Sequence, residues 1–404
     1  MNKKIIAALV AALVVAGGNS SIFAQNGSES AADKLGLKIS GGGTILFQGT
    51  PKLNDGSETS QNDATYSFDL KFVKELSSNN KIVIRFEGGK GFGLPLETYG
   101  WVNSDADPSI DPAFGHTSAK LTELYYEQTF LDGKLSFDIG KLNYWWFFDN
   151  NAYANNETSQ FQTGPFVVNQ LVNKPDRNVA AVVGYSFTEI VSAQLGYFAN
   201  DLDKFDSNGL SVLQIDLKPI EDGTYRVYGW YNANKNLYNY KKIEDEGGLN
   251  VADSANIKTE DSYGFGLSAD QKVTEHLGLF ARVAYKKADA AEAEINSAII
   301  DDVATNNSLL WNIGASINGE LWSRANDTVG IAVGQIYGSY EYKKYINPAY
   351  KDGAETQAEL YYSYALNDNF AITPAVQYFS NPLGGNATTK DDVVVYGIRT
   401  QFSF

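Results

Sequence analysis

Apolar and polar residues alternate with a period of two along most of this chain, and the closing stretch VVVYGIRTQFSF shows the pattern in miniature. Val394, Tyr396, Ile398, Phe402 and Phe404 share one side of an extended strand, while Arg399, Gln401 and Ser403 share the other. The same alternation predicts sixteen strands: 35–49, 65–76, 81–88, 119–130, 134–141, 178–188, 191–199, 210–219, 223–233, 260–271, 276–286, 308–320, 327–338, 354–367, 370–379 and 391–404. No amphipathic helix is predicted outside the connections, and no composition break divides the chain.

The connections alternate in length. Short ones, such as 77–80, 131–133, 220–223, 272–275 and 368–369, join an even-numbered strand to the next odd-numbered one. Long segments rich in Asn, Asp and Gly lie between them, at 50–64, 89–118, 142–177, 200–209, 234–259, 287–307, 339–353 and 380–390. A soluble sandwich has no reason to gather every long loop at one end, whereas an outer-membrane barrel has short periplasmic turns and long extracellular loops. The fold class predicted is therefore all-β, a transmembrane antiparallel β-barrel of about sixteen strands, wide enough for an aqueous channel. Ile398 and its apolar partners then face lipid, Arg399 faces the lumen, and closure of 391–404 on 35–49 satisfies backbone groups that hydrocarbon cannot.

Composition agrees with export and removes several function classes. Lys3 and Lys4 precede an apolar run to Ala16, and Ala24 stands before Gln25, so 1–24 is expected to be a signal peptide and 25–34 a polar leader ahead of the barrel at 35–404. There is no cysteine, which excludes disulfides, thiolate metal sites and cysteine nucleophiles. Net charge is −16, which leaves no basic footprint for nucleic acid. Only His116 and His276 are present, no G-x-S-x-G elbow occurs, and GGKGFG at 88–93 lacks the helix a phosphate loop needs. Asp105, Asp107 and Asp111 have an acidic spacing, but Pro108 and Pro112 break an EF-hand register. No catalytic residue, no metal site and no cofactor is expected.

The informative side chains should be polar groups turned into the lumen. Period two places Arg85 and Glu87 inside together, a guanidinium donor beside an acceptor. It also places Arg226, Tyr228 and Trp230 on one side as a ladder of one guanidinium and two rings, with Trp230 as a member of an outer aromatic girdle the competing reading. The longest loop, 142–177, would narrow the channel if folded inward, with Asp149, Asn150, Asn151 and Asn155 as lining groups. For Trp145 and Trp146 the alternative is anchoring at the lipid headgroups. Arg399 completes the set of pore-lining candidates.

The stretch LTELYYEQTFLDGKLSFDIGKLNYWWFFDNNAYANNETSQF at 121–161 resembles the carbohydrate-selective porins of the OprB type, as do DTVGIAVGQ at 327–335 and ELYYSYALNDNFAITPAVQYFSNPLG at 359–384. The resemblance runs over most of 35–404, although loops such as 234–259 carry no matching pattern. It implies a sugar-conducting outer-membrane porin, with lipid and small sugars as partners, and the terminal Phe404 looks like the signature read by the outer-membrane assembly machinery. Monomer and trimer both stay open. The readings carried forward are passive diffusion of small hydrophilic solutes, above all sugars; against it, a general non-selective pore; and a non-conducting adhesin or structural barrel plugged by 142–177.

Overall fold

The computed structural model describes residues 36–51, 61–91, 94, 104–107, 119–172, 178–201, 204–233, 237–245, 259–296, 299–303, 306–386 and 392–404. The expected signal peptide and leader, Asp111 and His116 lie outside these residues. In chain order the strands are β1 (Leu37–Thr50), β2 (Gln61–Ser77), β3 (Asn80–Lys90), β4 (Lys120–Phe130), β5 (Leu135–Lys141), β6 (Val179–Ser186), β7 (Val191–Asp201), β8 (Lys204–Leu217) and β9 (Gly223–Asn232). They continue as β10 (Leu237–Asn239), β11 (Ser262–Lys272), β12 (Leu277–Lys286), β13 (Ala290–Asn296), β14 (Ile299–Val303), β15 (Asn307–Asn318), β16 (Thr328–Gly338), β17 (Ala354–Asn367), β18 (Phe370–Ser380) and β19 (Val393–Ser403).

Sixteen of these close into one barrel, each pairing antiparallel with its neighbours, and β19 returns to β1. The seam places Phe47 opposite Ile398 and Leu46 opposite Arg399, and the amides of Gly41 and Phe404 exchange hydrogen bonds with each other's carbonyls at 3.1 and 3.0 Å. The sheet therefore has no free edge, as a wall in hydrocarbon requires. The expected facing holds on the terminal strand: Tyr396, Ile398 and Phe404 are exposed on the outer face, while Arg399 is 1% exposed inside. Tight reversals join the strands at one end; at Leu131, Asp132 and Gly133 all three residues take positive φ, which matches the strand twist across a short hairpin.

Two differences from the pattern lie away from the membrane. β10, β13 and β14 form a separate three-stranded sheet inside the segments read as loops 234–259 and 287–307. The hairpin of β7 and β8 also continues to an Asp201–Lys204 pair, so most of the expected loop 200–209 is strand. Outside the bilayer neither face needs to be apolar, so ladder hydrogen bonds can extend a hairpin without leaving an alternating trace. On the outer wall over β11 to β18, a shallow concavity of about 910 Å³ is lined by Leu279, Ile313, Ile331, Val333 and Leu360 with small residues such as Ala281 between them; it faces the lipid side.

Candidate functional site

The lumen is built by the chain that follows β5. After Lys141 the segment 142–172 turns into the barrel and crosses to the far wall. Its centre is Asp149, held at φ 58° and fully buried, whose carboxylate meets the buried guanidinium of Arg282 on β12 at 2.9 Å. Tyr228 Oη and the amide of Asn169 donate to the same carboxylate at 3.0 and 2.7 Å, and Gln214 Oε1 accepts from the Asp149 amide at 2.9 Å. Arg282 also donates to the carbonyls of Phe166, Asp149 and Ala154, each at 3.2 Å. A buried ion pair is tolerable when each remaining donor and acceptor is met, and this one is met by loop backbone.

Further along the wall, Glu359 on β17 accepts from the amides of Gln162 and Thr163 at 2.8 and 2.7 Å, and Gln377 on β18 donates to Thr163 Oγ1 at 2.9 Å. Arg399 on β19 donates to the carbonyls of Glu157 and Gln160 at 3.0 and 2.7 Å. Aromatic packing follows the same course. Phe161 lies 5.4 Å from Phe280 and 5.0 Å from Tyr361, both on the wall, while Phe148 packs on Phe198 at 6.0 Å. Gly196 on β7 makes room for this, because a Cβ there would stand 2.7 Å from the Phe148 ring. Ser104–Asp107, from the next inward segment, fills the wall beside β1 and β2: Gln48 and Gln377 donate to the Ser104 carbonyl at 2.7 and 2.8 Å, and Thr65 Oγ1 donates to Asp105 at 2.7 Å.

Between this packed loop and the wall of β1 to β3 lies a chamber of about 450 Å³. Asp69, Arg85 and Glu87 line it from the wall, and Trp145, Trp146 and Glu157 from the loop. The Arg85 guanidinium lies 3.5 Å from Glu87 and 3.6 Å from Glu123, and sits over the Trp146 ring at 4.7 Å. Trp146 Nε1 donates to Glu123, which fixes the ring plane.

Of the candidates from the sequence, Arg85 and Glu87 line this chamber together. Arg226 is on the inner wall, paired with Asp270 of β11. Tyr228 and Trp230 turn inward, stacked at 6.0 Å, but are 2% and 4% exposed beneath the loop, so Trp230 belongs to no outer girdle. Asp149 and Asn151 are buried fasteners of the loop, not water-facing lining, and Asn151 donates to Ser268 Oγ at 3.3 Å. Asn150 and Asn155 are joined side chain to side chain at 3.1 Å, and Arg399 is turned to the loop carbonyls. Polar loop composition reads the same whether its groups meet water or each other, which is why Asp149 and Asn151 look like lining in the sequence. The expectation missed Arg282, Glu359 and Gln377, and left Trp145 and Trp146 undecided between chamber and rim. Their signal was available in part: inward-facing Gly196 and inward Val393 and Val395 are out of place on a wall facing water and mark where the loop rests. Among the described residues no cluster of His, Asp and Glu could hold a metal ion.

The family model described as carbohydrate-selective porin, OprB family, matches residues 54–404. Among solved structures, the high-pH structure of Pseudomonas putida OprB superposes with a TM-score of 0.71 at 17% identity, covering 92% of this chain and 95% of that one. The outer-membrane channel DcaP of Acinetobacter baumannii gives 0.53 at 12% identity over 91% and 97%. An anion-selective porin from Comamonas acidovorans gives 0.56 at 10% identity over 91% and 99%. At these identities the likeness is one of fold. No curated protein matches the chain.

Proposed function

This chain belongs to the carbohydrate-selective porins of the OprB family, integral outer-membrane diffusion pores for sugars, and from that premise we propose that the chamber beside the inward loop is where it handles its solute. The observation that carries the reading is the joint presence on one small chamber of a guanidinium, carboxylates and two indole rings. A sugar presents hydroxyls at its edge and a weakly apolar face. Arg85 can donate to two neighbouring hydroxyls while Glu87 accepts from a third, and Trp146, held flat by Glu123, offers its face to the ring. Hydrogen bonds replaced in pairs let the solute leave as readily as it enters.

The loop acts as a fixed constriction in this reading, since its fasteners on the wall are buried and end on loop backbone and on Asp149. No bond is made or broken; the solute follows its gradient, and the protein is a channel and not an enzyme. Residues 1–24 as an export signal and Phe404 as an assembly signal belong to the same proposal. The test is sugar block of the ion current in planar bilayers. Trp146→Ala and Arg85→Ala should each weaken block by glucose and maltose by about tenfold, the scale of one well-placed hydrogen bond or stacking contact, with a much smaller change in open conductance. Unaltered block in both variants would remove these residues from the path.

A further inference from the structure

We infer that the chamber selects for cations, and that among sugars of one size it favours those bearing a protonated amine over neutral and acidic ones; the inference rests on the pore reading above. Four carboxylates line the chamber, Asp69, Glu87, Asp107 and Glu157, against a single cation, Arg85, among the described residues. They come from β2, from β3, from the 104–107 segment and from the inward loop, so the excess is made by the fold and not by one acidic run.

Arg85 does little to offset them, because Glu123 stands on its other side at 3.6 Å while Glu87 lies at 3.5 Å. The next cations point elsewhere or stand off the chamber. Arg399 is 1% exposed and directed at the carbonyls of Glu157 and Gln160, and Lys71 pairs in register with Arg85 without lining the space. Walls of packed protein and indole rings confine the field of these carboxylates, which raises the local concentration of positive solutes. Acidic rings act this way in cation-passing channels. Trp146 adds a second feature suited to an ammonium, since its ring already takes a guanidinium at 4.7 Å on one face. A hexosamine keeps the hydroxyl edge that Arg85 and Glu87 address and adds a charge the chamber attracts.

The experiment uses the full-length protein in planar bilayers under a KCl gradient at mildly alkaline pH, with proteoliposome swelling in parallel at about pH 7, where the amine of an amino sugar is still mostly protonated. The reversal potential should correspond to a potassium over chloride permeability ratio of at least about threefold, and swelling should be faster in glucosamine than in glucose, and slowest in glucuronate. Glu157→Gln alone, on the loop, should lower the ratio, and Asp69→Asn with Glu157→Gln should lower it further, with heat-shifted gels showing that both variants form folded barrel. A reversal potential near zero or of the anion sign would overturn the inference and leave the pore intact, as would a ratio unmoved by both variants. Absence of conductance and of swelling would overturn the pore reading itself, and this inference with it.

Discussion

On the arc of wall from β8 to β19, Gln214, Arg282, Glu359, Gln377 and Arg399 turn inward and end on the loop, whereas on the arc from β2 to β4 Asp69, Arg85, Glu87 and Glu123 turn inward and stand on or beside the chamber. Residue types and period are the same on both arcs. Arg282 and Asp149 are 0% exposed, but Arg85 and Glu87 retain 14% and 13%. The difference is made by where one loop lies. Inward polar side chains in a barrel thus have two uses, holding the loop that narrows the lumen or facing what passes through it.

That division is broken most sharply by exchanging an arginine for alanine on each arc. Arg282→Ala would leave the Asp149 carboxylate buried without its ion partner, a loss of about 3–5 kcal/mol. Folded barrel should decline, seen as a lower unfolding temperature on heat-shifted gels, and surviving channels should be wider and noisier. Arg85→Ala should cost less, since Glu87 keeps contact with water and the buried Glu123 keeps the donated hydrogen bond of the Trp146 indole. Equal losses in the two variants would erase the distinction between the arcs.

A smaller effect is expected from Gly196→Ala, which drives a methyl toward the Phe148 ring where the loop meets β7. The ring is packed on Tyr144 at 5.5 Å as well as on Phe198, so relief requires the loop to shift, at about 1–3 kcal/mol. Gly229 on the outward side of β9 meets nothing nearer than 3.6 Å and should accept alanine without change. Conductance and unfolding temperature of the two variants check this; a silent Gly196→Ala would mean that the loop does not need its seat.

How much of this was legible in the sequence depends on which physical rule left a trace. The facing of Ile398 and Arg399 could be read because a pleat repeats every two residues and lipid tolerates only apolar groups on its side. Loop placement could not, because nothing in FDNNAYANN tells whether Asp149 finds Arg282 across the barrel or finds water. The pairing spans more than a hundred residues and is invisible to a local pattern. Trp145 and Trp146 show the same limit: aromatic residues just after a strand suit a headgroup rim, and only the inward turn of the following chain carries them into the lumen. Arg85 and Glu87 were legible because they sit on a strand whose register sets their direction without help from the loop.

The smallest expected effect sharpens the comparison by titrating one arc. Asp107 faces Ser67, whose hydroxyl donates to it, with Asp69 and Glu87 on the neighbouring strands, Asp105 beside it in the chain and Arg399 behind. Burial pushes the Asp107 carboxyl up to about 6 and that of Asp105 up to about 7, the Asp107 charge adding to the second shift and Arg399 opposing both. A carboxyl whose pKa is raised is charged above that value and neutral below it, so acidification removes negative charge from this segment before it touches ordinary surface acids. The two titrate as a pair, in steps that belong to both. Cation preference should therefore fall gradually between about pH 8 and pH 5, by roughly twofold, because Asp105 and Asp107 supply only part of the negative charge around the chamber. Asp105→Asn with Asp107→Asn should flatten this profile at its acidic level while leaving the unfolding temperature close to that of the parent. Reversal potentials measured across the pH series decide it. A preference that rises on acidification, or one that still falls in the double variant, would place the titrating groups somewhere other than the 104–107 segment.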